Sequence, residues 1–327
     1  MILLTIISFA VSFATTVVVG LLLIPALRRV KAGQMIREDG PVWHNKKQGT
    51  PTMGGLMFIA GTTVACFTVG LSEMLDGRFG HVTVITFALV FAAIGLFDDY
   101  VKLKKKQNLG LRAKEKFALQ LLVAICYVAL MHLLGNLTTN LYIPFIDISV
   151  QVPRVMYYIF AAFVIVGTVN SVNITDGVDG LVTGVTIPVV GCILAIAFHL
   201  NHTTVGILAA ALIGGLVAFL IFNFHPAKIF MGDTGSLFLG GAVCALAFAM
   251  DMPLLLIVLG FVYIIEALSD IIQVVYFKLS KGKRVFKMAP IHHHFELCGW
   301  SEYKLFIIFS LASVVFAVIS FFGVYNR

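Results

Sequence analysis

Residues 82–106 read VTVITFALVFAAIGLFDDYVKLKKK: an apolar run closed by two adjacent carboxylates and then by a cluster of lysines. A bilayer span needs about 20 predominantly apolar residues, and loops on the cytoplasmic side collect Lys and Arg. The stretch therefore reads as a transmembrane helix whose C-terminal end emerges into the cytoplasm. It leaves one problem unsolved. Asp98 and Asp99 repel each other and oppose the helix dipole, which favours cations at that end.

The rest of the chain repeats the apolar pattern. Of its 327 residues 60% are hydrophobic and only 12% are charged, against about 25% charged in a soluble domain; the mean hydropathy is +1.00. The expected architecture is an all-α polytopic membrane protein forming one domain over 1–327, with ten spans near 3–25, 53–72, 82–101, 117–135, 154–172, 180–199, 204–222, 235–250, 253–278 and 304–324. The boundary between the last two of these before 304, at Met250-Asp251-Met252-Pro253, is the least distinct. The basic residues Arg28 and Arg29 follow the first apolar run instead of preceding it, so that run reads as a span and not as a cleavable signal peptide.

With the N-terminus outside, the cytoplasmic loops become 26–52, 102–116, 173–179, 223–234 and 279–303, and all but Arg78, Arg154 and Arg327 of the 23 Lys and Arg fall on that side. Both termini are then extracytoplasmic. The net charge of +7 follows from this bias and gives no reason to expect a nucleic-acid partner. In the outer loop 136–152, LYIPFIDISV alternates as a strand does and predicts a small periplasmic hairpin. The five cysteines are scattered without metal or disulfide spacing.

The polar breaks on the cytoplasmic side carry the chemistry. In NSVNITDGVDGL (170–181), Asn173, Asp176 and Asp179 stand beside Gly177 and Gly180; one acid can cap the next helix, and the glycines allow close approach of a ligand to the backbone. FMGDTGS (230–236) puts Asp233 at a helix start, as a cap or as a hard oxygen ligand for Mg²⁺ beside anion-seeking N–H groups. In 44–55, Lys46 or Lys47 and the Thr hydroxyls, Thr52 among them, read either as a positive-inside flank or as phosphate binders. The run His292-His293-His294 cannot converge on one zinc ion, because adjacent side chains point apart; one or two of the rings bind phosphate or move protons, and the third is structural. Glu266, Asp270 and Gln273 form one polar stripe that must face protein or a wet groove. The basic segment 278–287 reads as another positive-inside flank, suited also to anionic headgroups. Acids that hold Mg²⁺ beside lysines and Gly-rich helix starts suit chemistry on a pyrophosphate at the membrane surface.

GTPTMGG (49–55), GLFDDYVK (95–102), NSVNITDGVDGL, FMGDTGS and APIHHHFE (289–296) resemble, in order and over essentially the whole chain, the phospho-N-acetylmuramoyl-pentapeptide transferase family of the polyprenyl-phosphate N-acetylhexosamine-1-phosphate transferases. The resemblance implies a multi-pass enzyme of the bacterial cytoplasmic membrane that joins UDP-MurNAc-pentapeptide to undecaprenyl phosphate, giving lipid I and UMP. It implies Mg²⁺ on Asp233, a homodimer, and a ninth helix bent to form a lipid groove. It places Asn173, Asp176, Gly232, Ser236, Gln273 and His292 around the nucleotide and pyrophosphate. Within the matching motifs Asp98, Asp99, Asp233 and His292 form the catalytic set, and Thr52, Asp179, Phe230, Ala289, His293 and His294 extend the substrate-binding set, with Lys46 added just ahead of the first motif. The alternatives are a sister transferase using UDP-GlcNAc and a lipid-linked transporter or flippase.

Overall fold

The computed structural model describes residues 1–29, 47, 49–105, 107, 110–135 and 138–327. Its helices are α1 (Ile2–Arg29), α2 (Gly55–Val69), α3 (Leu71–Leu75), α4 (Gly80–Lys105), α5 (Ala113–Leu133), α6 (Arg154–Thr175), α7 (Leu181–His199), α8 (Thr203–Asn223), α9 (Gly232–Ala249), α10 (Leu256–Leu259), α11 (Phe261–Leu279), α12 (Ile291–Glu296) and α13 (Glu302–Phe322). Among the described residues eight helices are long and apolar enough to cross a membrane: α1, α4 to α9 and α13. The chain is a multi-pass membrane protein, all-helical among the described residues apart from one small hairpin.

One expected span is shorter than a full crossing, and the ninth is bent, as the resemblance implied. Over 53–72 the 15-residue α2 is shorter than a full span and stops at Gly70, where α3 begins. His81 packs against Gly70 so closely that a Cβ there would strike the imidazole. The expected helix over 253–278 is broken: a 3₁₀ turn at Pro253–Leu255 and α10 meet α11 at 77° around Gly260. The turn separating this pair from α9 falls at Met250–Met252, as its Asp-Met-Pro sequence indicates.

α9 is the hub. Every residue from Thr234 to Phe248 is buried, and α2, α4 and α6 pack around it. The outside of the molecule is apolar instead. On α1 a stripe of Thr5, Ser8, Ser12, Thr16 and Gly20 is buried, while Leu3, Ile6, Leu21 and Leu22 are exposed. That inverted pattern suits a helix that hides its polar groups from lipid. At one end of the molecule β1 (Asn140–Ile143) pairs antiparallel with β2 (Ile148–Gln151), Asn140 opposite Gln151 and Ile143 opposite Ile148. The hairpin is pinned where the Phe145 N–H donates to the Gly323 carbonyl at 2.7 Å. It lies between the C-terminus of α5 and the N-terminus of α6, so the C-terminal end of α6, with the NITDG loop, is at the other end of the molecule.

Candidate active site at the helix ends

Two close approaches bring the acidic motifs together. Gly95 of α4 lies against the start of α9, where any Cβ would strike the backbone of Asp233 and Thr234. One turn farther along, α4 presents Asp98 and Asp99 to that helix start. The 51–55 segment then runs alongside 230–231: Phe230 N–H donates to Pro51 O at 2.8 Å, Gly54 N–H to Phe230 O at 2.8 Å, and Gly55 N–H to Met231 O at 2.9 Å. Phe230 thus joins the GTPTMGG and FMGDTGS motifs through its backbone. Gly232 has φ +74°, and a side chain there would meet Asp99 Oδ2 at 2.6 Å and Thr52 Oγ1 at 2.9 Å. Glycine is required on both counts.

Asp98, Asp99 and Asp233 offer oxygens that all lie within 4.8 Å of one another. Lys102 reaches into their midst, 2.7 Å from Asp98 Oδ2, 2.6 Å from Asp233 Oδ2 and 3.8 Å from Asp99 Oδ1. Lys116, from the first turn of α5, adds a second ammonium 2.9 Å from Asp233 Oδ2. The other Asp233 oxygen accepts from Asn173 Nδ2 at 2.7 Å, and Asn173 also donates to Ser236 Oγ at 2.7 Å. Asp98 accepts from the Leu111 N–H at 2.7 Å, tying the loop after α4 to the cluster. Asp99 is a cap for another helix. It accepts from the N–H groups of Asp233 (3.2 Å) and Thr234 (2.9 Å) and from Thr234 Oγ1 (2.7 Å), satisfying orphan donors at the start of α9.

Asp176 ends α6 near this cluster. Burial, followed by the charges of Asp233, Asp99 and Asp179, holds its carboxyl well above the usual carboxylate range, with Lys102 acting in the opposite direction. Asp179 is placed elsewhere. Its oxygens meet Lys47 Nζ at 2.7 Å, His225 Nδ1 at 3.0 Å and the Ala227 N–H at 3.0 Å. Glu302, at the start of α13, completes this second group 2.6 Å from Lys47 Nζ and 3.4 Å from His225 Nδ1. The group borders a cavity of about 450 Å³ lined by Thr50, Pro226, Trp300 and Ser301 among others.

The three histidines take different polar partners, although the rings of His292 and His293 touch edge-on with centroids 4.2 Å apart. His292 and Glu266 are both fully buried, with His292 Nδ1 2.8 Å from Glu266 Oε2. His293 Nδ1 lies 2.6 Å from Glu296 Oε2, and His294 Nδ1 accepts from the Lys287 N–H at 3.1 Å. Gln273 is occupied with its own loop: its Oε1 accepts from the N–H groups of Val285 and Phe286, both at 3.0 Å, and its Nε2 donates to Phe286 O at 2.9 Å. The polar stripe of α11 therefore clasps the 285–292 segment. Ala289 is half-buried just before α12. Lys46 lies outside the described residues.

Five residues gain roles that sequence alone did not assign them. Lys116 was indistinguishable from neighbouring positive-inside lysines, and Thr234, His225 and Glu302 meet their partners only through tertiary packing. A free-standing signal existed for Lys102 alone, which lies four residues from Asp98 and three from Asp99 and so shares their helix face.

The family model for glycosyl transferase family 4 matches residues 81–251, and signature 1 of phospho-N-acetylmuramoyl-pentapeptide-transferase matches residues 47–59. A phospho-N-acetylmuramoyl-pentapeptide-transferase of Caldanaerobacter subterraneus subsp. tengcongensis is 46% identical over 312 residues, 95% of this chain and 96% of that one. The chain belongs to the phospho-N-acetylmuramoyl-pentapeptide-transferase family. Transferases of the same name from Clostridium acetobutylicum, at 45% identity over 96% of this chain and 97% of theirs, and from Listeria welshimeri, at 43% over 96% of each, agree. For a phospho-N-acetylmuramoyl-pentapeptide-transferase family member the useful coincidence is positional. The glycosyl transferase match runs from α4 to the end of α9 and contains the whole acid cluster, and the signature covers the segment hydrogen-bonded to 230–231.

Proposed function

We propose that the chain transfers phospho-MurNAc-pentapeptide from UDP-MurNAc-pentapeptide to undecaprenyl phosphate, giving lipid I and UMP, the first membrane step of peptidoglycan synthesis. The observation that carries this reading is the group of three carboxylates, two of them buried, with two half-buried lysines at the ends of otherwise apolar helices, in a chain so similar to transferases of that name. In this reading α2 with α3, and α10 with α11, bring the spans to ten. Both termini are extracytoplasmic, the acid cluster faces the cytoplasm, and the whole of 1–327 is one domain in the bacterial cytoplasmic membrane. By family resemblance the working unit is a homodimer.

The donor set fits a hard divalent cation. Three carboxylates converge within 4.8 Å, and an ammonium among them offsets only part of their charge. Mg²⁺ commonly binds through one or two carboxylates together with substrate phosphates. Asp233 would hold it, with Asp98 alongside, and the ion when bound neutralises charge on the pyrophosphate. The protein's own residues orient and balance. Asn173 fixes one Asp233 oxygen and the Ser236 hydroxyl, Asp99 holds the start of α9 in place, and Lys102 and Lys116 are free to exchange carboxylates for phosphate oxygens.

In the proposed reaction an oxygen of the lipid phosphate attacks the β-phosphorus of the donor, and the bond from that phosphorus to the bridging oxygen breaks, releasing UMP. A phosphate monoester, with a second pKa of about 6, is mostly dianionic at neutral pH, so the nucleophile needs no base. Asp98 then acts by organising Lys102 and the 110–111 backbone. Detergent-solubilised protein given both substrates and a divalent cation is expected to release UMP. Release with UDP-GlcNAc but not with the muramoyl donor would turn the reading to the sister transferase; none with either, from folded protein, to a transporter.

A further inference from the structure

Glu266 sits in the middle of a helix with a long apolar face, and neither it nor its partner His292 has any solvent exposure. A carboxylate at such depth is costly unless a partner offsets the cost. The partner is one nitrogen of one imidazole: Nδ1, 2.8 Å from Oε2. Among the described residues the other imidazole nitrogen, Nε2, is buried and makes no hydrogen bond, and the same holds for Glu266 Oε1. Nε2 is aimed at the NITDG loop, where Gly177 leaves only enough space for the ring: a Cβ on that residue would collide with Nε2. The backbone around Glu266 is independently fixed, since Ser269 Oγ donates to the Glu266 carbonyl at 2.7 Å. An imidazole held at Nδ1 by a buried carboxylate, with Nε2 bare and directed at a loop, is the arrangement that orients a histidine for work at its far nitrogen.

We propose that Glu266 is a positioning residue for the transfer reaction, acting through His292. Resting on the reading of His292 as part of the substrate pocket, it deepens that reading by naming what orients the ring. The carboxylate fixes the ring plane and determines which nitrogen faces the 173–180 loop. The loop that carries Asn173 and Asp176 therefore meets Nε2 in a single orientation. Gly177 is the contact through which the ring and that loop register with each other. The alternative is a mere fastener, in which the pair ties α11 to α12 as Gln273 ties α11 to residues 285–286.

The two roles are separated by kinetics on purified Glu266→Gln, Glu266→Asp, His292→Gln and the double variant Glu266→Gln/His292→Gln, with ¹⁵N spectra of the histidine rings. The positioning role predicts that Glu266→Gln lowers kcat by about 10- to 100-fold, the range for groups that orient a working histidine. KM for the nucleotide donor should stay within about twofold, Glu266→Asp should recover part of the loss, and the His292 ring signals should move in Glu266→Gln. The double variant should be no slower than His292→Gln, since the two act as one unit. If Glu266→Gln melts earlier but its folded fraction turns over like the parent, Glu266 is a fastener and the proposal is wrong. Additive losses in the double variant would overturn it as well. If instead His292→Gln is fully active, the reading of the pocket itself fails, a result distinguishable from the other two.

Discussion

Lys102 explains how two adjacent carboxylates persist at the end of a helix whose dipole disfavours them. Its ammonium lies within 4 Å of Asp98, Asp99 and Asp233 at once, and the α9 backbone takes up the remaining capacity of Asp99. Asp98 keeps the fewest structural duties of the three. Asp98→Asn is expected to lose most turnover, and rapid quenching with labelled donor should leave no phospho-sugar on the enzyme; a trapped adduct would establish a covalent route. Asp176 gives a pH signature. Its folded carboxyl is raised above the unfolded value, so its ionised form opposes folding at neutral pH, and that penalty fades as pH falls toward the unfolded value of about 4. In EDTA, Asp176→Asn should melt higher than the parent at pH 7 and no higher near pH 4. An equal melting difference at both pH values would contradict this. Asp98, Asp176 and Asp233 were legible as a group because acids among glycines between apolar runs have few bland explanations. The division of labour was not legible, because Asp179 turns away to Lys47 and His225 through contacts that no local spacing encodes.

At the scale of elements, hydrophobic length located the helices and small residues determined how they meet. The run 82–105 became α4 with its acidic residues near its C-terminal end, where the sequence placed them. One boundary differs from expectation, where α2 stops at Gly70 against His81, and the ninth expected helix bends by 77° at Gly260, in keeping with the bend that the resemblance implied. Hydropathy does not register the Gly260 break, since Leu256–Leu259 and the start of α11 are both apolar. The α4–α9 contact depends on Gly95. Gly95→Val forces a side chain into the Asp233 backbone, and overpacking of this kind costs about 1–3 kcal/mol or more. It should lower the melting temperature and reduce turnover together, as read by thermal denaturation and UMP release on the same preparation. A variant that melts like the parent would show that the helices can separate without harm.

Across the whole molecule the arrangement is that of a membrane protein turned outward, with apolar side chains such as Leu22 and Leu133 on the surface and a polar centre where α4, α6 and α9 end. The hairpin near 136–152 was readable from its alternation, and the structure places it over β1 and β2. The second polar group at Asp179, His225 and Glu302 was not readable, because its members come from three segments far apart in sequence. The central claim is that the Asp98–Asp99–Asp233 group handles the pyrophosphate with a divalent cation. Its most direct test is UMP release from UDP-MurNAc-pentapeptide and undecaprenyl phosphate, measured with Mg²⁺ and with EDTA, for the parent and Asp233→Ala. The parent is expected to release UMP only with the cation and both substrates, and Asp233→Ala, folded, to fall at least about a hundredfold, the order of loss for a principal charge-stabilising group. Turnover by Asp233→Ala close to that of the parent, or undiminished turnover of the parent in EDTA, would contradict the account.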